Sequence, residues 1–352
     1  MIKSFLVAVV ASVLVALAGA GLWSWQGLQS LNTEAGLDET LLYEVPRGAS
    51  FNSIARDMEQ MGLVDKAVWL KLLGRVEPEM TAIRAGEYEF QPGMSPRDMV
   101  ELMVRGQTKV RMVQFIEGRR FRDARAALAQ AEHLRQETRD WPDEKIMAEL
   151  GDEGAHPEGR FFPDTYAYSR GDSDLDILRR AYERMNQVLA EEWANRDKDL
   201  PLENPYEALI LASIIERETG MPGERRDIAG VFVRRLERGM RLQTDPTVIY
   251  GMGDRYQGRI TRKDLRTLTD YNTYRISGLP PTPIALPGRA AIHAAVNPAD
   301  GDALYFVARG DGSHQFSRTL EDHQRAVREY QLNRREDYRS WPAPTVTPEA
   351  ER

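Results

Sequence analysis

The longest uninterrupted apolar stretch lies near the N-terminus: after Lys3, residues 5–25 carry no charge, and the next charged side chain is Glu34. About 20 apolar residues cross the hydrocarbon of a bilayer, so this run predicts a membrane-spanning helix over residues 5–25, after a cytoplasmic start at 1–4. Trp23 and Trp25 fall where interfacial aromatics sit, and Lys3 with the terminal amine favours the cytoplasmic side for the N-terminus. Ala16-Leu17-Ala18 offers a small-x-small site and admits a second reading as a cleaved signal peptide. The continuation through Trp25 exceeds a typical signal core and favours the retained anchor. Both readings export the body. Residues 26–40 are polar and Gly-bearing, which predicts a linker.

The body mixes helical and strand periods. Leu41 to Val45 alternates like a strand, Pro46-Arg47-Gly48 reads as a turn, and Ser50 caps a helix carrying Ile54, Met58 and Met61. A second helix near residues 66–73, a strand at 84–90 and a helix opened by Ser95-Pro96 complete a small α/β module over 41–107. Its opening Tyr43-Glu44-Val45-Pro46-Arg47-Gly48, followed by Ile54-Ala55, resembles the start of LysM glycan-binding modules. A spacer without ligand is the alternative. Downstream, residues 108–116 read as a strand. Helices are expected at 121–131, 173–195, 204–219, 224–237 and 320–334, and a strand at 303–308. Residues 339–352 read as a flexible tail. Separate helices and short strands, without a βαβ rhythm or a Gly-rich phosphate loop, indicate an α+β domain over 108–338.

Composition narrows the chemistry. A net charge of -7 removes the positive field that non-specific nucleic-acid binding needs. The absence of cysteine excludes thiolate catalysis and Cys-ligated zinc, and no two of the five histidines stand at helical ligand spacing, so neither metal nor cofactor is expected.

The strongest chemical candidate is Glu218, in Leu209-Ile210-Leu211-Ala212-Ser213-Ile214-Ile215-Glu216-Arg217-Glu218-Thr219-Gly220. On a helix it stacks over Ile214, Ile215 and Leu211, whereas Glu216 stacks over Ala212, Ser213 and Leu209. The more apolar setting should raise the Glu218 pKa further, as a general acid for a glycosidic oxygen requires. The alternative is a structural carboxylate closing a core helix beside a Gly220 cap and pairing with an arginine. Two residues apart on a helix, Glu216 and Glu218 point about 200° apart and cannot flank one bond. A two-carboxylate glycosidase would need Asp245 or Asp164, both of which also suit turns or caps.

From Glu207 to Arg325 the chain closely resembles the endolytic murein transglycosylases of the MltG (YceG-like) family. The segments that carry it are 212–219, Gly239-Met240-Arg241-Leu242-Gln243-Thr244-Asp245-Pro246-Thr247-Val248-Ile249-Tyr250-Gly251, Tyr271-Asn272-Thr273-Tyr274 and Gly278-Leu279-Pro280-Pro281. Upstream it extends through Glu158 to Tyr166 and Glu117-Gly118 into the LysM-like module. The resemblance implies a single-pass inner-membrane enzyme with a periplasmic body, acting on peptidoglycan glycan strands beside the synthases. It places the catalytic acid on Glu218, and suggests Tyr271, Asn272 and Gln243 as substrate contacts. It also implies a one-acid lyase mechanism that closes a 1,6-anhydro ring on N-acetylmuramic acid. Tyr250, Tyr274 and Thr244 suit sugar stacking and hydrogen bonding, with core packing as the alternative, and Asp245 completes the expected set. The arginines at 225, 226, 234, 235, 238 and 241, interleaved with Glu224, Asp227 and Glu237, read as a solvated face, with anionic headgroups as the other reading. A non-enzymatic membrane-anchored peptidoglycan-binding scaffold is the rival function.

Overall fold

The structure is a computed structural model that describes residues 2–332; the expected tail at 339–352 and the end of the 108–338 domain lie outside the described residues. The chain divides into two compact units, one formed by residues 1–111 with 133–135 and 167–172, the other by the remaining segments.

The first unit begins with helix α1 (Ile2–Ser30), followed by strand β1 (Leu41–Val45), helices α2 (Phe51–Gln60) and α3 (Ala67–Val76), strand β2 (Gly86–Phe90) and helix α4 (Pro96–Arg105). Within α1 the stretch Val9–Ser30 is long and apolar enough to cross a membrane. The expected linker at 26–40 is helical through Ser30. The reason is packing: the Trp69 ring of α3 lies directly on Gly27, where a Cβ would sit 2.2 Å from it, Trp23 meets Trp69 edge-on at 4.3 Å, and Leu31 is fully buried. Strands β1 and β2 pair antiparallel with Tyr43 opposite Tyr88 and Leu41 opposite Phe90. Local signals set the helix starts. Ser50 accepts a bond from the Ser53 amide, and Ser95 with Asp98 forms a capping box with Pro96 in the first turn. This unit runs to Arg111 and takes in two later segments, residues 133–135 and 167–172.

Next along the chain come strand β3 (Arg111–Gln114), helices α5 (Phe121–Gln130) and α6 (Asp143–Glu149), and strand β4 (Thr165–Tyr168), which pairs with β3. The second unit continues with helices α7 (Asp174–Ala194), α8 (Pro205–Glu218), α9 (Arg225–Glu237), α10 (Asp245–Met252), α11 (Arg262–Arg266) and α12 (Arg289–Val296). It closes with the antiparallel hairpin β5 (Tyr305–Ala308) and β6 (His314–Ser317) and helix α13 (Leu320–Val327), continued by a π turn (Arg328–Leu332) where an α-helix is expected, the last two residues of that expectation lying outside the described residues. Small separate sheets among many helices make this an α+β fold.

Helix α8 is the axis of the second unit. Every residue from 208 to 216 is buried, and α7, α9, α10 and α12 pack around it. Asn204 caps its start by accepting from the Glu207 amide, with Pro205 in the first turn. Its end differs from the expected Gly220 cap: the chain leaves at Thr219 in an extended conformation (φ -139°, ψ 136°). That exit turns Glu218 out of the core at the last helical position.

The expected solvated face holds for Arg226, Arg238 and Arg241, which are exposed, but not for Arg235, which is buried, or for the half-buried Arg225 and Arg234. Arg226 donates to the carbonyls of Asn297 and Pro298, Arg234 to those of Ala299 and Ala303, and Arg235 to that of Leu304. Arg225 pairs with Glu216. The guanidinium groups of Arg226, Arg234 and Arg235 fasten the loop that leads into β5.

Candidate active site

Glu216 and Glu218 leave α8 into different surroundings. Glu216 is 6% exposed, pairs with Arg225 at 3.3 Å and accepts the Gly288 amide at 3.0 Å, so its oxygens are occupied in holding the fold. Glu218 is partly buried and accepts a short hydrogen bond from the Thr244 hydroxyl. Burial pushes its pKa up to about 7 and the neighbouring Asp245 charge adds to this; the Thr244 bond, Arg217 and Arg235 pull the other way. Leu211, Ile214 and Ile215 are fully buried in the core beneath it.

Thr244 is itself held. It caps α10 from an extended conformation, its amide donates to Thr273 Oγ1 at 3.0 Å, and Thr247 returns a bond to its carbonyl at 2.8 Å. Thr247 and Thr273 share a further hydroxyl contact of 2.8 Å, and all three threonines are buried. The preceding residue, Gln243, sits at φ 54°, a left-handed conformation unusual for a residue with a side chain. Its amide donates to the Thr273 carbonyl at 3.2 Å, which fixes the turn that presents Thr244 to Glu218.

Around this pair lies a cleft of about 510 Å³, lined by Glu218, Gln243, Thr244, Asp245 and Tyr274 together with Arg235, Tyr305, Phe306, His314 and residues of α13. Tyr274 donates to Asp245 at 2.7 Å, and burial raises its phenol pKa. Arg235, 6% exposed, is the strut beneath the floor: it bonds the carbonyls of Leu304 (2.7 Å) and Leu242 (2.7 Å) and lies over the Tyr305 ring at 5.0 Å. A cavity of about 540 Å³ in the first unit is comparable in size, but its polar groups are spent on one another, as in Arg170 with Glu44 and Thr108 with Ser169.

The other expected contacts stand apart from this cleft. Asn272 is buried, its amide nitrogen donating to the carbonyls of Asp264, Leu265 and Thr267 and its oxygen accepting from the Tyr274 amide. It therefore shapes the loop that carries Tyr274. Asn272→Ala leaves those carbonyls unpaired and should lower unfolding stability by about 2 kcal/mol, measurable by chemical denaturation. Tyr271 bonds Thr282 at 2.8 Å and packs on the core. Tyr250 meets Tyr271 at 4.8 Å, lies under Arg120 and hydrogen-bonds Glu158, a buried carboxyl pushed up to about 7 by desolvation that also accepts the Phe121 amide. Asp164 is exposed, its side chain accepts the adjacent Thr165 amide, and it does not line the cleft that holds Glu218.

Sequence reasoning missed Arg235, Thr247, Thr273, Tyr305 and His323 as parts of the site. Thr247, three residues after Thr244, carried a usable signal, because it can bond back to that residue's carbonyl in a helix's first turn.

A Bacillus subtilis protein named an endolytic murein transglycosylase is 29% identical over 312 residues, spanning 83% of this chain and 85% of that protein. A Streptococcus pneumoniae protein of the same name is 27% identical over 320 residues, 81% of this chain and 57% of that protein. The crystal structure of a YceG-like protein from Listeria monocytogenes superposes with a TM-score of 0.51 at 28% identity, covering 82% of this chain and 99% of that one. The YceG-like family matches residues 43–329, and the chain belongs to that family.

Proposed function

We propose that this protein is a membrane-anchored peptidoglycan lytic transglycosylase that cuts the β-1,4 bond between N-acetylmuramic acid and N-acetylglucosamine within nascent strands, using Glu218 as its single catalytic acid. The observation that carries the reading is a carboxyl with a pKa near 7, gripped by Thr244 on a polar and aromatic cleft, in a chain whose relatives are named endolytic murein transglycosylases.

A protonated Glu218 donates to the glycosidic oxygen as the bond from C1 of the muramic residue breaks. The resulting carboxylate takes the proton of that sugar's C6 hydroxyl as its oxygen closes on C1. One acid thus serves both halves, and the product carries a 1,6-anhydro end. Thr244 favours the carboxylate and burial favours the acid, a balance suited to a group that must change state once per turnover. Cutting strands still attached to their synthases would end elongation, and helix α1 would hold the enzyme at the inner membrane where those strands emerge. The two helices between β1 and β2 support a LysM-like reading of the first unit.

The full-length protein incubated with uncrosslinked glycan strands should produce anhydro ends; intact strands would favour the binding scaffold. The first step needs the protonated acid, so kcat/KM should fall as pH rises through about 7. Glu158 also titrates near 7, so the limb belongs to Glu218 only if Glu158→Gln retains it.

A further inference from the structure

Helix α13 contributes one face to the cleft. Leu320, His323 and Val327 recur at helical spacing, Gln331 follows in the π turn, and all four line the cavity that holds Glu218. Among them His323 is unusual. Its ring stacks on Tyr305 at 5.2 Å and 22°, yet its Nδ1 is sealed from solvent with no hydrogen-bond partner among the described residues. Buried side-chain nitrogens are normally hydrogen-bonded, so an unsatisfied one beside a cleft calls for an explanation. The other histidine of the cleft, His314, shows the ordinary case: its Nδ1 and its amide are both taken by Glu224, at 2.7 and 2.9 Å.

We propose that His323 is a sugar-binding residue of this cleft, its Nε2 hydrogen-bonding an acetamido or hydroxyl group of an N-acetylated hexose held against Tyr305 and Tyr274. This rests on the glycan-cleaving reading above. With Nδ1 unpartnered among the described residues, no bond at that nitrogen fixes the tautomer, so Nε2 can either accept from an N–H or O–H or donate to a carbonyl oxygen. Burial and the Arg235 charge both lower the His323 pKa, which keeps the ring neutral and able to play either part. Arg235 lies over the same Tyr305 ring that His323 stacks on. The imidazole is therefore held in place before any ligand arrives.

His323→Phe tests the contact, because phenylalanine preserves the stack on Tyr305 and removes only the nitrogens. In the full-length enzyme the expected result is a KM for glycan strands raised roughly tenfold, with kcat within about twofold of wild type and the melting temperature unchanged. His323→Gln, which restores a donor and an acceptor, should recover part of the loss. Independently, imidazole nitrogen NMR of wild type titrated with a chitin tetrasaccharide should shift the His323 Nε2 resonance. Product formation with an unchanged KM in His323→Phe would overturn the contact and leave the lyase reading standing. Tetrasaccharide binding that shifts Nε2 without any strand cleavage would overturn the lyase reading and support the contact.

Discussion

Replacing Glu218 by glutamine is expected to lower turnover on glycan strands by roughly 10³-fold while leaving substrate binding nearly intact, because the amide can neither donate a proton to the leaving oxygen nor accept one from the C6 hydroxyl. Glutamine keeps the size of the side chain and an oxygen for the Thr244 hydroxyl, so the loss reports chemistry rather than misfolding. A second consequence has the opposite sign. Glu218 has a pKa of about 7 in the folded protein against an ordinary value of 4.5, so the native state holds its proton more tightly than the unfolded chain does. Its contribution to stability is fully present below the ordinary value and is lost as pH rises through about 7, where the ionised carboxylate must remain partly desolvated. The glutamine variant escapes that penalty and should be more stable than wild type in mildly alkaline buffer, by about 2 kcal/mol. An enzyme that becomes slower and firmer through one isosteric change is what a carboxyl placed for catalysis entails.

Arg235→Met is expected to cause the largest loss of stability, on the order of 4 kcal/mol, seen as an earlier midpoint in urea. Methionine retains much of the apolar stem but removes the donors that serve the carbonyls of Leu304, Arg241 and Leu242, which tie the segment entering β5 to the segment entering α10. Desolvation already lowers the Arg235 pKa, so the buried cation persists only because these acceptors surround it. The same positive charge draws the Glu218 pKa down. Without it Glu218 should stay protonated to higher pH, and the alkaline fall in rate should move upward in whatever fraction of the variant remains folded.

These two residues also mark what could be read in the chain and what could not. The helix ending at Glu218 was legible because an apolar run opened by Asn204-Pro205 can be little else, and the different faces under Glu216 and Glu218 separated the two carboxylates before any coordinates. The ion pair of Glu216 with Arg225 was not legible, because its partner lies across a turn whose direction depends on the extended exit at Thr219. Arg235 looked like one more charge on a solvated helix. Its burial is imposed by the loop that leads to β5, some seventy residues later in the chain. The apolar N-terminal helix was legible from hydropathy, but its continuation to Ser30 depends on the Trp69 ring lying on Gly27, a contact between helices that no local pattern encodes. Asn272 and Tyr271 are expected as ligand contacts from their resemblance to substrate-binding residues, and the bonds of Asn272 to its own loop and of Tyr271 to Thr282 are set by tertiary packing that the sequence does not display. His323 was passed over because α13 was read for its period alone, and only the fold brings that face to the cleft.

In the proposed mechanism one carboxyl suffices and water takes no part in the cut. A hydrolase would need a second carboxylate to activate a water molecule, and Asp245, beside Glu218 in the cleft and bonded by Tyr274, stands where one could act. Digestion of glycan strands in heavy-oxygen water, followed by mass spectrometry of the newly formed muramic ends, separates the two chemistries directly. Ends with the mass of a dehydrated residue and no heavy oxygen are expected; reducing ends carrying heavy oxygen would show a hydrolase and contradict the single-acid mechanism.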